Sequence, residues 1–204
     1  ISKVDRNFDR VIGSEKFIEC DTLLLSVGLI PENELTREAG AEISEMGGPI
    51  VDNNLETTIK GVFACGNVLQ VHDLVDLVTA EAKRAGLNAI EYIKNRYGKK
   101  DEKKRLIKCI PGDNVGYVKP DLINKSYLEK DIIFTFRVIR PERRILIQFK
   151  DESNKILYKK KRRYVIPSEM IELKLNLNDI QIDPKCKEII IEVIPRPEVL
   201  IEED

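Results

Sequence analysis

The chain has 204 residues, 42% of them hydrophobic, enough for one large domain or two small ones. Thirty-four Lys and Arg against 35 Asp and Glu leave a net charge of -1, a balance that argues against nucleic acid or an anionic membrane surface as a partner. No apolar run approaches the roughly 20 residues that cross a bilayer.

The four cysteines, Cys20, Cys65, Cys109 and Cys186, are far apart and form no CxxC pair, so they read as reduced thiols of a cytoplasmic protein. A single histidine, His72, speaks against a histidine-based metal site, and no metal ligand is assigned. The 34% charged content without Trp fits an ion-pair-rich, thermophile-like surface. There is no signal peptide, and the sequence begins at Ile1 without methionine.

Residues 1–98 mix short strands with helices. VDRNFDRVIG and EKFIECDTLLLSVG read as two or three strands, the last being the apolar run Thr22 to Val27. A run apolar on both faces suits a strand inside an α/β sheet. A short helix is expected from Glu34 to Ala39, ended by Gly40. PIVDNNLETT gives a short strand and loop, and GVFAC a second buried strand. Leu77, Val78, Ala82, Ala85, Ala89, Ile90 and Ile93 then recur at helical spacing, predicting a long helix from Leu74 to Arg96.

The charged stretch 99–105 reads as a linker. Beyond it, over 106–204, the period changes from helical to alternating. LIKCIPGDNVGYVKP, IIFTFRVI, RILIQFK, KILYKKKRRYVI, MIELKLNL and EIIIEVI predict an antiparallel, all-β sandwich of immunoglobulin-like type. The fold class expected is thus α/β, followed by a β-sandwich. The run Lys159 to Arg163 has no aromatic platform and lies among acidic residues, so it reads as a solvated strand.

Chemistry concentrates at GVFACGNVLQVHDLVD, from Gly61 to Asp76. Ligands of open α/β sheets gather at the carboxyl ends of strands. Here Gly66 allows close backbone approach, and Asn67 offers a carbonyl acceptor and an amide donor to a sugar-like hydroxyl. The following helix turns its free amides and positive dipole end towards an anionic group. His72 is a further donor at this turn, and Asp73 is the expected helix N-cap.

LSVGLIPENE (Leu25 to Glu34) resembles the strand, Gly, x-x-Pro signature that returns from the NAD(P) domain to the FAD domain in pyridine-nucleotide-linked FAD oxidoreductases. GGPIVDNNLETTIKGVFACGNV (Gly47 to Val68) resembles the ribityl-binding block of the same family. The resemblance covers roughly Ile1 to Ile93. It implies that the α/β half is a partial Rossmann-like FAD/NAD(P)-binding region, with FAD as cofactor, NAD(P)H as co-substrate, and cofactor contacts at Gly28, Gly66, Asn67, Val68, His72, Asp73 and Leu74. The family usually has Asp where this chain has Asn67, and a neutral amide accepts a hydrogen bond more weakly.

ACGNVLQVHDLVD is similar to the subgroup found with anaerobic glycerol-3-phosphate, opine, sarcosine and proline dehydrogenases, in which Asn is usual. There the flavoprotein is a subunit exchanging electrons with a partner. The pyrophosphate loop GxGxxG is absent: no two of the eleven glycines stand two apart. The chain therefore reads as the carboxy-terminal part of such an oxidoreductase, inactive alone, whose first partner is the amino-terminal FAD/NAD(P) portion of the same protein. No residue is assigned a catalytic role, and Cys65 reads as a buried strand residue. The alternatives are a non-catalytic docking module for a dehydrogenase complex, and a standalone homodimer. The substrate or acceptor and the choice of NADH or NADPH stay open.

Overall fold

The computed structural model describes residues 1–5, 9–25, 28–96, 106–125, 131–176, 180, 182, 183 and 185–196; the expected linker lies outside them. Helix α1 spans Glu34–Glu38, a 3-10 turn spans Gly66–Val68 and helix α2 spans Val75–Arg96. The strands follow as β1 (Leu106–Pro111), β2 (Val115–Lys119), β3 (Leu122–Asn124), β4 (Asp131–Val138), β5 (Glu142–Asp151), β6 (Ile156–Val165), β7 (Ile171–Asn176) and β8 (Glu188–Pro195).

The strands form a five-stranded sheet, β3-β1-β8-β5-β6, and a three-stranded sheet, β2-β4-β7. Alternation along β4 sends Ile132, Phe134, Phe136 and Val138 to one face. Those side chains share a core with Ile145, Ile147 and Phe149 of β5 and with Ile189, Ile191 and Val193 of β8. Phe134 and Phe149 meet edge to face across the two sheets, ring centroids 5.0 Å apart. The expectation of antiparallel strands needs one correction, because β1 runs parallel to β8. A parallel pair needs a long crossover, and most of the chain's second half separates the two strands.

The first half follows its predicted helices more closely than its predicted strands. Helix α1 ends against Gly40 at φ +85, in the left-handed region that favours glycine. Helix α2 begins one residue after the expected start. Its inward face differs from the apolar reading. Ile90 and Ile93 are exposed, while Glu81 is buried and Asn88 and Tyr92 are partly so. Asn88 donates to the Asn54 carbonyl at 2.9 Å, and Tyr92 packs edge to face on Phe63.

The buried strands expected at 22–27 and in GVFAC do not form among the described residues. Leu23, Leu24 and Leu25 are exposed, and Phe63 makes only an isolated bridge to Glu56. A strand apolar on both faces is stable only between neighbours, and no described strand lies beside these. The local core is correspondingly small: Val51, Leu55, Ala64, Leu69 and Ala85.

The halves join through backbone as well as side chains. Asp52 forms a parallel bridge with Leu122, the Val51 carbonyl accepts from the Asp121 and Leu122 amides at 3.1 Å, and Val51 N donates to Asp121 Oδ2 at 2.9 Å. Lys119, almost wholly buried, reaches Pro49 O at 2.8 Å and both Asp121 carboxylate oxygens. Burial pushes the Lys119 ammonium below its ordinary range, and Asp121 opposes that fall.

Phe134 has no solvent exposure and contacts both sheets. Phe134→Ala is expected to destabilise the protein by about 3–5 kcal/mol. Urea unfolding followed by circular dichroism checks this through a lowered midpoint at unchanged slope.

Candidate functional site

Two stretches singled out in the sequence converge on the turn after Cys65. Asn33, from LIPENE, donates through Nδ2 to the carbonyls of Gly47 and Val68, both at 2.8 Å. Gly48 passes so close to the turn that a Cβ there would lie 1.9 Å from the Leu69 carbonyl oxygen. Cys65 is extended, and Gly66 reverses the chain at φ +69, a conformation that favours glycine. Leu69 N and Gln70 N then close back on the Gly66 carbonyl at 2.9 and 3.0 Å.

A buried carboxylate organises the chain around this turn. Glu81 is 4% exposed and accepts from Gly66 N at 2.6 Å and from Gln70 Nε2 at 2.9 Å; its Oε2 also lies 2.9 Å from His72 Nε2. The Arg84 guanidinium stands 3.9 Å from its other oxygen. Burial alone would raise the Glu81 carboxyl, but His72, Gly66 N–H and Gln70 outweigh it and hold the group below its usual value of 4.5. His72 Nδ1 and Arg84 Nε are buried without a hydrogen-bond partner.

The seven residues expected at the cofactor fall into distinct settings. Gly66 is buried at the turn, while Asn67 is exposed and Val68 39% exposed. Asn67 Oδ1 accepts from the His72 amide at 3.2 Å, which ties one lone pair of its carbonyl to the turn. The His72 ring is engaged by Glu81 instead of standing open as an extra donor.

Asp73 is not the N-cap. Helix α2 starts at Val75, and the carbonyl of exposed Leu74 accepts from Leu77 N and Val78 N. The Asp73 carboxylate instead pairs with Arg137 and accepts from Met170 N at 2.8 Å, both in the β-half. Burial tends to raise its carboxyl, and Met170 N–H with Arg137 overcomes that and lowers it. Gly28 stands apart at φ +103 with open space around it, so conformation alone calls for glycine there.

Leu29, Ile30 and Met46 share a cavity of about 290 Å³ with Val71 and with Tyr117 and Arg137 of the β-half. Among the described residues no group of three or more His, Cys, Asp or Glu is placed to hold a metal ion, and no helix is long and apolar enough to cross a membrane. Glu81, Gln70, Asn33 and Arg137 were not singled out from the sequence. Glu81 alone left a signal there, as an acidic residue on the inward stripe of a long helix.

Residues 1–91 match the family model described as pyridine nucleotide-disulphide oxidoreductase. This stretch thus resembles that family of flavoprotein oxidoreductases, and among the described residues the eight strands lie outside the match. The F subunit of alkyl hydroperoxide reductase from Escherichia coli (strain K12) is 36% identical over 86 residues, 42% of this chain and 16% of that protein. The protein of the same name from Staphylococcus aureus (strain Mu50 / ATCC 700699) is 30% identical over 86 residues, 42% of this chain and 17% of its own length. The matched segment thus spans about a sixth of either relative. No solved structure gives a match.

Two outcomes test this geometry. Because the folded protein holds the Glu81 carboxyl below 4.5, the stabilisation it contributes is complete above that pH and is lost as acidification passes the folded value. Glu81→Gln is expected to cost about 2 kcal/mol at neutral pH and to flatten the acid side of the stability profile. Thermal melts from pH 7 to pH 3 read both effects.

The second outcome concerns the thiols. Burial raises the Cys65 thiol with Glu81 adding to it, and burial with Glu152 pushes Cys186 up to about 11. Cys20 is exposed. Iodoacetamide at pH 8 is expected to label Cys20 well before Cys65 or Cys186, read by peptide mass spectrometry.

Proposed function

We propose that this chain is the carboxy-terminal part of an FAD-dependent oxidoreductase that exchanges a hydride between NAD(P)H and flavin and passes electrons to or from a partner subunit or small acceptor. The observation that carries the reading is the turn itself: a Gly66-Asn67 corner, fixed on buried Glu81, delivered to the start of a 22-residue helix. The family match over the same residues supports it.

The residues fit such a cofactor. Gly66 forms the left-handed corner that presents Asn67, the Asn67 amide is available to a ribityl hydroxyl, and the first amides of α2 favour an anionic ring edge. Bound flavin supplies the hydride-accepting chemistry, and this chain contributes one wall that positions it. With Asn67 in place of the family's Asp the hydroxyl contact is neutral, as in the anaerobic dehydrogenase subgroup. The relatives' own names describe subunits of a reductase, in keeping with electrons leaving for a partner.

The apolar residues exposed at Leu23, Leu24, Leu25, Leu87, Ile90 and Ile93 are the surface on which the amino-terminal FAD/NAD(P) portion packs in this reading. The β-half is taken as an immunoglobulin-like module and the whole protein as cytoplasmic.

The test is the visible spectrum of the whole protein that carries this sequence, before and after NADH. A flavin spectrum that bleaches supports the reading. A colourless protein with no extractable flavin overturns it in favour of a docking module. Asn67→Ala in the same protein is expected to weaken flavin retention about tenfold while leaving the melting temperature within a few degrees.

A further inference from the structure

On the outer face of the three-stranded sheet Glu172 and Lys174 of β7 are exposed, yet the polar part formed by β2 and β4 is shielded from solvent. Register sets Tyr117 opposite Arg137 and Lys119 opposite Thr135 across β2 and β4. Strand alternation turns these four side chains away from the sandwich core that Val118, Phe134 and Phe136 enter. In a free-standing sandwich such a face meets water. Here Thr135 is 4% and Lys119 3% exposed.

Thr135 and Arg137 are engaged by residues 70–73, the stretch that leaves the Gly66-Asn67 turn. Thr135 Oγ1 lies 2.9 Å from Gln70 Nε2 and 3.0 Å from Gln70 Oε1, placed to accept from the first and donate to the second. Gln70 Nε2 donates again to Glu81 Oε1 at 2.9 Å, and Glu81 Oε2 receives the Gly66 amide at 2.6 Å. Thr135, Gln70 and Glu81 are each buried. Two residues along β4, Arg137 donates to Val71 O at 3.1 Å, to Ser168 O at 2.8 Å and to the Asp73 carboxylate.

We infer that Thr135 is a positioning residue for the Gly66-Asn67 turn, which makes the β-half a working part of the cofactor wall. A glutamine amide has two ends of opposite polarity, and only one serves Glu81. The Glu81 carboxylate, which only accepts, selects the NH2 end, and the Thr135 hydroxyl bridges both ends of the amide and anchors it on β4. Without that anchor the amide loses the fixed position from which Nε2 meets the carboxylate that holds Gly66 N–H. The consequence for flavin rests on the function proposed above, whereas the positioning itself does not.

Thr135→Val keeps the shape and removes the hydroxyl, and Thr135→Ser restores it. Both are made in the whole protein, and amide hydrogen exchange is followed through residues 66–73 beside the FAD dissociation constant and the flavin midpoint potential. In Thr135→Val the Gly66 and Gln70 amides are expected to exchange about tenfold faster, with weaker FAD binding and a shifted potential. Thr135→Ser should stay within about twofold of the parent. Gln70→Ala should open the same amides, and adding Thr135→Val to it should add nothing further.

Unchanged exchange at 66–73 in Thr135→Val overturns the inference. So does exchange that quickens equally along β5 and β8, since that reports general loosening. If the parent protein carries no flavin, the oxidoreductase reading falls and the exchange data alone decide the positioning role.

Discussion

The site depends on one constraint: the carboxylate of Glu81 is out of water and must find its hydrogen bonds inside the protein. An isolated buried carboxylate is strongly unfavourable, and three groups offset that cost here: the Gly66 amide, the Gln70 side chain and the His72 ring. Each of them ties down a different piece of chain. Gly66 fixes the corner, His72 the approach to the helix, and Gln70 the contact with β4. The helix that carries Glu81 is itself held by Asn88 on the Asn54 carbonyl and by Tyr92 on Phe63, which sets where that charge stands. Removing that charge would leave several donors facing each other in a dry interior.

Much of this architecture was legible because it follows from periodicity. The apolar recurrence from Leu77 to Ala89 fixes a long helix, and alternation in IIFTFRVI, RILIQFK and EIIIEVI fixes three strands of the sandwich. What escaped was whatever depends on a neighbour. The run at Leu23 to Leu25 announces a need for burial without supplying the strands that would bury it. The three-residue β3 is too short to show a pattern, and nothing local in β1 or β8 reveals that they pair in parallel. The polar alternation of Thr135 and Arg137 marks an outward face correctly, but a sequence does not say whether that face meets water or another part of the chain. Nor does the sequence show that the Asn67 carbonyl turns inward to the His72 amide.

The five cations of Lys159 to Arg163 have their explanation at the opposite side of the sandwich. Strand β6 is the edge of the five-stranded sheet, and residues 159–164 are exposed on both of its faces. Charged side chains on an open edge discourage a second strand from pairing there. That edge position accounts for their clustering.

The seam along residues 49–53 and 119–124 has a consequence at the level of descent. Because Asp52 pairs with Leu122 through the backbone, and Val51 N needs the Asp121 carboxylate, neither half can be exchanged for a foreign one without orphaning buried donors. A gene fusion that brought an unrelated β-module to this position would have had to supply an acidic residue and an open strand edge at the same register. Recombination among related genes is therefore expected to move these two short segments together or to be purged.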